Sequence, residues 1–302
     1  MDPKTLLFLA LGLVTAWFLV AWRGRVRAAR AAGRLVDDPP ATGFHSVVGF
    51  VMCFFDTLGI GNFATTTSMF KFKRSVRDEW IPGTLNVAYT LPTVAQALIY
   101  ISIVRVDFFT LVAMIVAAVA GAWLGASIVS RWPRINIQVG MGCALLAAAA
   151  LMLLTQLQLV PVGGTALELR GTVLVLGLVG NFALGALMTL GIGLYAPCLI
   201  LVSLLGMDPR AAFPIMMGSC AFLMPIAGMR FIREGSYSLR ASVVLALAGI
   251  PAVLIAAYIV KQMPLAYVRW LVVVVVVYAA GTLLRSAFIE RRGTAPGMER
   301  QM

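Results

Sequence analysis

The chain contains an internal repeat built around two glycine-interrupted apolar segments. Residues 57–64, Thr-Leu-Gly-Ile-Gly-Asn-Phe-Ala, reappear as residues 189–196, Thr-Leu-Gly-Ile-Gly-Leu-Tyr-Ala, at an offset of 132. Pro82 falls on Pro214 at the same offset, so the register extends well beyond the motif. Glycine-interrupted segments at corresponding positions of two halves are typical of transporter binding sites.

The composition predicts a protein that lies in a membrane. Of 302 residues 61% are hydrophobic and 12% are charged, and the mean hydropathy of +0.95 is far above that of soluble domains. The four cysteines lie in apolar stretches without paired spacing, and the chain has one histidine, so we expect neither a disulfide framework nor a metal site. No nucleotide-binding loop and no nucleophile–base spacing occurs. We therefore predict that the protein is not an enzyme and carries no cofactor.

The apolar segments predict seven crossings of the roughly 30 Å hydrocarbon layer. The first is followed by five arginines within residues 23–34. Because a cleaved signal peptide carries its charge ahead of the apolar run, we expect this segment to remain as an anchor with its N-terminus outside. The seven crossings are residues 5–22, 81–104, 108–130, 135–155, 211–230, 241–260 and 264–287.

The two interrupted segments, residues 44–72 and 171–206, are predicted to be hairpins that return to the side they enter. Hairpins place 18 of the 24 Lys and Arg residues on one side, whereas a single crossing would move the basic residues of 71–77 to the outside, against the positive-inside rule. Three crossings follow each hairpin, so the second repeat begins on the opposite side. We predict an all-α polytopic membrane protein with two inverted repeats, Gly-broken hairpin segments and an N-terminal anchor helix.

The same pattern gives a domain organisation. It comprises an N-terminal transmembrane anchor with a basic cytoplasmic linker at 1–43, transmembrane repeat 1 at 44–156, a non-cytoplasmic linker at 157–176, transmembrane repeat 2 at 177–287 and a cytoplasmic tail at 288–302.

Inverted repeats bring their broken segments face to face near the membrane midplane. We expect a short helix to restart after each break, with Thr65–Thr67 able to cap one and Pro197 in the first turn of the other. Two helix N-termini, each with roughly half a positive charge, then point at one volume and form an anion site. The carbonyl ends of the entering helices offer a place for a small coupling cation. The alternative is that the breaks are packing kinks and the polar side chains join helices.

The candidate residues surround the two breaks. Asp56 is the only carboxylate well inside an apolar segment, where its charge costs on the order of 3 kcal/mol, and its repeat counterpart is Met188. We predict that Asp56 couples transport to a proton or another ion; alternatively, it bonds neighbouring amides and hydroxyls and fixes the hairpin. The predicted substrate-binding residues are Thr57, Gly59, Gly61, Asn62, Thr65, Thr66, Asn86, Thr90, Gly191, Gly193, Tyr195, Ser219 and Cys220.

Three stretches of the second repeat carry a family resemblance. Residues 191–197, Gly-Ile-Gly-Leu-Tyr-Ala-Pro, precede residues 204–212, Leu-Leu-Gly-Met-Asp-Pro-Arg-Ala-Ala, and then 217–219, Met-Gly-Ser. In these the chain resembles the TauE/SafE sulfite exporter family. The first repeat, with its charged run 71–79, and the N-terminal anchor depart from the family pattern, so we expect a divergent member. The resemblance implies transport of sulfite or a sulfur-containing organic anion, driven by the proton gradient.

We therefore predict a secondary transporter, or permease, of a small anion that works by alternating access. A passive anion channel and a transporter of another small solute, such as a metal cation, are the alternatives. The expected partners are a small anionic solute and the lipid bilayer but no nucleic acid. The sequence leaves open whether the chain forms a homo-oligomer. The expected location is the cell inner membrane, with the N-terminus outside and the C-terminus cytoplasmic.

Overall fold

A computed structural model describes residues 3–31, 38, 40–129, 164–188 and 193–262, and scattered residues within 139–157 and 267–288. Most of the described residues are helical, and the described residues form no strand. The helices are α1 (Pro3–Ala31), α2 (Gly43–Thr57), α3 (Phe63–Lys73), α4 (Ile81–Ile103), α5 (Phe108–Val129), α6 (Gly171–Met188), α7 (Tyr195–Leu204), α8 (Ala212–Glu234) and α9 (Leu239–Gln262).

The internal repeat of the sequence is also a repeat of helices. The order α2, α3, a short 3₁₀ turn at Asp78–Trp80, α4 and α5 recurs as α6, α7, a 3₁₀ turn at Pro209–Ala211, α8 and α9. The short helices α3 and α7 begin at Phe63 and Tyr195, which are 132 positions apart. Helix α1 precedes both repeats, as the predicted anchor does.

Glycine conformation ends the first helix of repeat 1. Gly59 and Gly61 have φ angles of +96° and +80°, a left-handed region that residues with a Cβ rarely adopt. Helix α2 therefore stops at Thr57, and α3 starts two residues after Gly61. The two helices have 15 and 11 residues, or roughly 22 and 16 Å, so neither spans a bilayer by itself.

Both broken segments are hairpins that return to the side they enter, as predicted. The ring of His45 at the start of α2 lies 5.7 Å from the ring of Phe70 near the end of α3. In repeat 2, the amide of Asp208, which follows α7, donates to the carbonyl of Ala166, which precedes α6, at 2.9 Å. Each hairpin thus has both ends on one face.

Contacts between the repeats show that they are inverted. Gly83 near the start of α4 lies against Ser236, which follows α8, and Gly218 near the start of α8 lies against Ile101 near the end of α4. These equivalent helices are therefore antiparallel and pack on each other. A two-fold axis that relates two antiparallel membrane helices lies in the membrane plane.

The flanking helices repeat the same contacts at equivalent positions. In one pair Cys53 of α2 contacts Gly249 of α9, and in the other Gly185 of α6 contacts Ala118 of α5. Cys53 and Gly185 are 132 positions apart, and Ala118 and Gly249 are 131 apart. The first helix of each repeat therefore packs against the second long helix of the other repeat.

Helices α1, α6 and α9, and α8 with its preceding turn, are long and apolar enough to cross a membrane. The predicted crossings 135–155 and 264–287 lie largely outside the described residues, and the domain boundaries remain predictions. The structure is that of an all-α polytopic membrane protein.

Basic residues concentrate on one of the two faces. The indole N–H of Trp22 donates to the hydroxyl of Tyr237 at 3.0 Å, which places the end of α1 beside the α8–α9 turn. At the other face, Lys4 reaches the carbonyl of Ile101 at 3.4 Å. Among the residues from α1 to α9 whose side chains the structure describes, the basic face holds Arg23, Arg25, Arg27, Arg30, Lys71, Lys73, Arg74, Arg77, Arg230, Arg233 and Arg240, and the opposite face holds Lys4, Arg105, Arg170 and Arg210.

A small residue at 121 is needed for α5 to approach α6. A Cβ at Gly121 would overlap the main-chain carbonyl of Phe182, so Gly121→Ala is expected to lower the free energy of unfolding by about 1–3 kcal/mol. Gly12→Ala is the control, because nothing lies within 4 Å of its Cβ position. The measurement is the thermal unfolding midpoint in detergent, and equal midpoints for both variants would contradict the packing.

Candidate functional site

The two breaks meet at one cavity of about 60 Å³. Residues 61–63 enter it from the first hairpin and residues 193–195 from the second. Its volume is several times the minimum that one buried water needs, which suits an ion of a few heavy atoms. The other lining residues are Asp56, Ile60, Thr93, Met188, Ala196, Pro197, Cys220, Met224 and Thr282.

Two helices begin at this cavity without a side-chain cap. Helix α3 follows Asn62 and α7 follows Leu194, and neither of these residues makes a capping hydrogen bond through its side chain. The amides of Thr66 and Cys198 make the first helical bonds, to the carbonyls of Asn62 and Leu194. The preceding N–H groups therefore lack helical partners, and each helix carries roughly half a positive charge at this end.

The expectation that Thr65–Thr67 would cap the restarted helix is wrong. Helix α3 begins earlier, at Phe63, because the left-handed Gly61 ends the break there. The hydroxyl of Thr65 instead donates to the carbonyl of Asn62 at 3.0 Å. Pro197 does lie in the first turn of α7. N–H groups in the first turn have no helical acceptor, so the missing N–H of proline costs the helix no hydrogen bond.

Gln96 of α4 joins the two hairpins. Its side-chain nitrogen donates to the carboxylate of Asp56 and to the hydroxyl of Thr57, both at 2.9 Å. Its side-chain oxygen accepts from the hydroxyl of Tyr195 at 2.8 Å. One buried amide therefore holds the end of α2 in repeat 1 against the start of α7 in repeat 2.

The carboxylate of Asp56 lies at the cavity and accepts hydrogen bonds on the protein side. The residue is only 3% exposed. Its donors are the side chain of Gln96 and the main-chain N–H of Asn62. Because both groups are donors, they suit the ionised carboxylate, and they also fix the shape of the hairpin.

The end of α2 offers few free carbonyls to a cation. Four of its carbonyls already accept hydrogen bonds. Main-chain amides donate to two of them: Leu58 and Ile60 to the carbonyl of Phe55, and Gly59 to that of Asp56. Hydroxyls donate to the other two: Thr57 to the carbonyl of Cys53, and Tyr100 to that of Thr57. The described residues also contain no group of three or more His, Cys, Asp or Glu placed to hold a metal ion. The end of α2 at the first break therefore leaves few main-chain oxygens for a cation.

Six of the predicted residues line the cavity: Asp56, Gly61, Asn62, Gly193, Tyr195 and Cys220. Gly191 lies outside the described residues. Seven others do not line the cavity: Thr57, Gly59, Thr65, Thr66, Asn86, Thr90 and Ser219.

Most of these seven residues bond within the helical framework. Asn86 and Thr90 donate to carbonyls one turn earlier on α4, at 2.9 and 2.6 Å. Thr66 pairs with the hydroxyl of Tyr89 at 2.7 Å, and Ser219 accepts from Asn181 at 3.3 Å. Such contacts are those of side chains that join membrane helices.

Sequence reasoning did not select Gln96, Thr93, Met188 and Met224 as site residues. Thr93 and Gln96 are one turn apart on α4, and Thr93 hydrogen bonds to Tyr195. Met188 occupies the repeat position of Asp56, and that correspondence was a signal that it would face the same volume. Nothing in the local sequence distinguishes Met224 from the buried methionines around it.

Comparison with known proteins gives one match. A family model described as Sulfite exporter TauE/SafE matches residues 2–161, which include α1 and the described helices of repeat 1. The match therefore covers the N-terminal helix and the first repeat, the two parts in which the sequence departs from the expected family pattern. No curated protein and no solved structure matches the chain.

The bridge through Gln96 predicts coupled effects on stability. Gln96→Leu removes a donor to Asp56 and the acceptor of Tyr195, and a buried group left unsatisfied costs about 1–3 kcal/mol. Tyr195→Phe removes only the hydroxyl that donates to Gln96. In thermal unfolding of both single variants and the double variant, the double variant should lose less than the sum. Additive losses would show that the two side chains do not bond.

Proposed function

The chain belongs to the TauE/SafE sulfite exporter family, and we propose that it is a proton-coupled secondary transporter of sulfite or a similar sulfur-containing anion. The observation that carries the proposal is the meeting of two helix N-termini, neither with a side-chain cap, at one cavity between inverted repeats. An anion is the ligand that such helix ends favour.

The cavity supplies neutral donors for the anion. Among its described lining residues none is Lys or Arg, so the attraction comes from the main-chain N–H groups of α3 and α7. The side-chain amide of Asn62 adds to them, since the residue is 4% exposed and lines the cavity. Neutral donors bind an anion and still allow it to leave, which a transporter requires.

Asp56 supports proton coupling. An anion in the cavity and an ionised Asp56 would repel each other, by about 3 kcal/mol for unit charges roughly 6 Å apart at an effective dielectric constant of 20. Protonation of Asp56 removes that repulsion, so the anion and the proton favour each other's binding, and the coupling is reciprocal. The two then cross the membrane together.

The inverted hairpins support alternating access. Each hairpin opens and closes toward its own face, and the cavity lies between their tips. The bond from Tyr195 to Gln96 crosses between the repeats, so a movement of one hairpin relative to the other would break it. A passive channel would instead need a continuous path across the membrane.

The charge asymmetry supports a location in the inner membrane with the basic face toward the cytoplasm. In that orientation the N-terminus is outside. The basic residues of the opposite face are fewer: among the residues from α1 to α9 whose side chains the structure describes, they are Lys4, Arg105, Arg170 and Arg210.

Asp56→Asn is expected to separate anion exchange from proton coupling. In proteoliposomes kept free of oxygen, the wild-type protein should accumulate labelled sulfite when a pH gradient is imposed. The variant should lose that accumulation but keep exchange of internal for external sulfite, because Asn keeps an acceptor for Gln96. Asp78→Asn, in the turn before α4, is the control and should behave as wild type. Gradient-driven accumulation by Asp56→Asn would refute the coupling role, and absence of uphill accumulation in wild type would favour a channel.

Cysteine labelling tests the orientation. In a cysteine-free background, Gly24→Cys on the basic face should react with an impermeant maleimide only after the membrane is opened. Glu168→Cys, on the opposite face, should react in intact cells. Nothing lies within 4 Å of the Cβ position of Gly24, so the first substitution fits the fold. The reverse labelling pattern would invert the proposed topology.

A further inference from the structure

The cavity has two chemically different walls, although the fold that encloses it is close to two-fold symmetric. Repeat 1 contributes oxygen and nitrogen groups from Asp56, Asn62 and Thr93. Repeat 2 contributes sulfur atoms from Met188, Cys220 and Met224. The first wall hydrogen bonds strongly, whereas the second wall, hereafter the sulfur wall, is soft and polarisable.

This difference breaks the symmetry of the repeats. At the offset of 132, Met188 corresponds to Asp56, and Cys220 corresponds to Ala88. Repeat 2 also contributes hydroxyls from Tyr195 and Thr282, but that of Tyr195 donates to Gln96 of repeat 1. A substrate in the cavity therefore meets different chemistry on its two sides.

The sulfur wall has little to offer an oxyanion. The thiol of Cys220 donates to the thioether of Met188 at 3.5 Å, and both residues are almost fully buried, at 1% and 4% exposed. Sulfur groups are weak donors and acceptors. An anionic oxygen placed there would lose its water and gain no strong hydrogen bond.

We infer that the site binds a sulfur oxyanion with one polarisable sulfur end more tightly than it binds sulfate. Thiosulfate is the simplest such anion. This inference rests on the proposed anion transport. The oxygens of thiosulfate lie against the helix N-termini and the amide of Asn62, and its terminal sulfur lies against Cys220 and Met188. Sulfate has the same charge and a similar shape, but every orientation turns an oxygen toward the sulfur wall. The preference comes from the contact between the polarisable terminal sulfur of thiosulfate and the sulfur wall, which sulfate cannot make.

The test is calorimetric titration of the purified full-length protein with sodium thiosulfate and with sodium sulfate. Thiosulfate should bind about tenfold more tightly, which corresponds to about 1.4 kcal/mol. The double variant Met188→Leu with Cys220→Ala removes two sulfur atoms, keeps the wall apolar and restores the residue that repeat 1 has at the second position. Its preference should fall to about twofold or less, through weaker binding of thiosulfate.

A matched double variant controls for the loss of sulfur elsewhere. Met217→Leu with Cys198→Ala changes two fully buried residues that do not line the cavity, and it should keep the wild-type preference. Thermal unfolding confirms that each variant is folded before titration. Equal binding of the two anions by wild type, or a preference that survives in the cavity variant, would overturn the inference while sulfite exchange still supports anion transport. Absence of binding and exchange for sulfite, thiosulfate and sulfate alike would overturn the proposed function itself.

Discussion

A broken helix inside a bilayer must find partners for its main-chain groups within the protein, since no water is available in the hydrocarbon. The first break meets this constraint in two different ways. On the carbonyl side, α2 ends in a turn in which the amides of Leu58, Gly59 and Ile60 return to its last carbonyls. On the amide side, α3 begins beside the cavity without a side-chain cap, and its first N–H groups have no helical partner. The unsatisfied end of the break is thus the end that a ligand can reach.

Gln96 makes the two breaks depend on each other. It donates to Asp56 in one hairpin and accepts from Tyr195 in the other, so a change of charge at Asp56 alters the bond that spans the repeats. A transporter needs such a link, because the binding of its solute must affect which hairpin is free to move. The same bonds that stabilise the fold therefore lie where coupling would act.

Symmetry and its departures have separate consequences. The inverted repeats give equivalent contacts on the two sides of the axis, as with Cys53–Gly249 and Ala118–Gly185, and two hairpins of similar build. Asp56 and Met188 then differ at one repeat position, and both line the cavity. The symmetric part is the framework that alternating access would use, whereas the asymmetric residues make the two sides of the cavity chemically different.

The sequence by itself determined the membrane class, the repeat, the position of the breaks, the return of the hairpins and the inversion, because hydropathy, glycine spacing and loop charge are properties read along the chain. It also placed Asp56, Asn62 and Tyr195 near the site, since they adjoin the breaks. Only the tertiary structure decided which side chains of the long helices face the cavity. Asn86 and Thr90 bond their own helix, whereas Gln96, on the same helix, reaches both hairpins. The rotation of α4 about its own axis decides which of these side chains faces the hairpins. Packing of α4 against α8 and α9 sets that rotation, and no local sequence pattern encodes this packing.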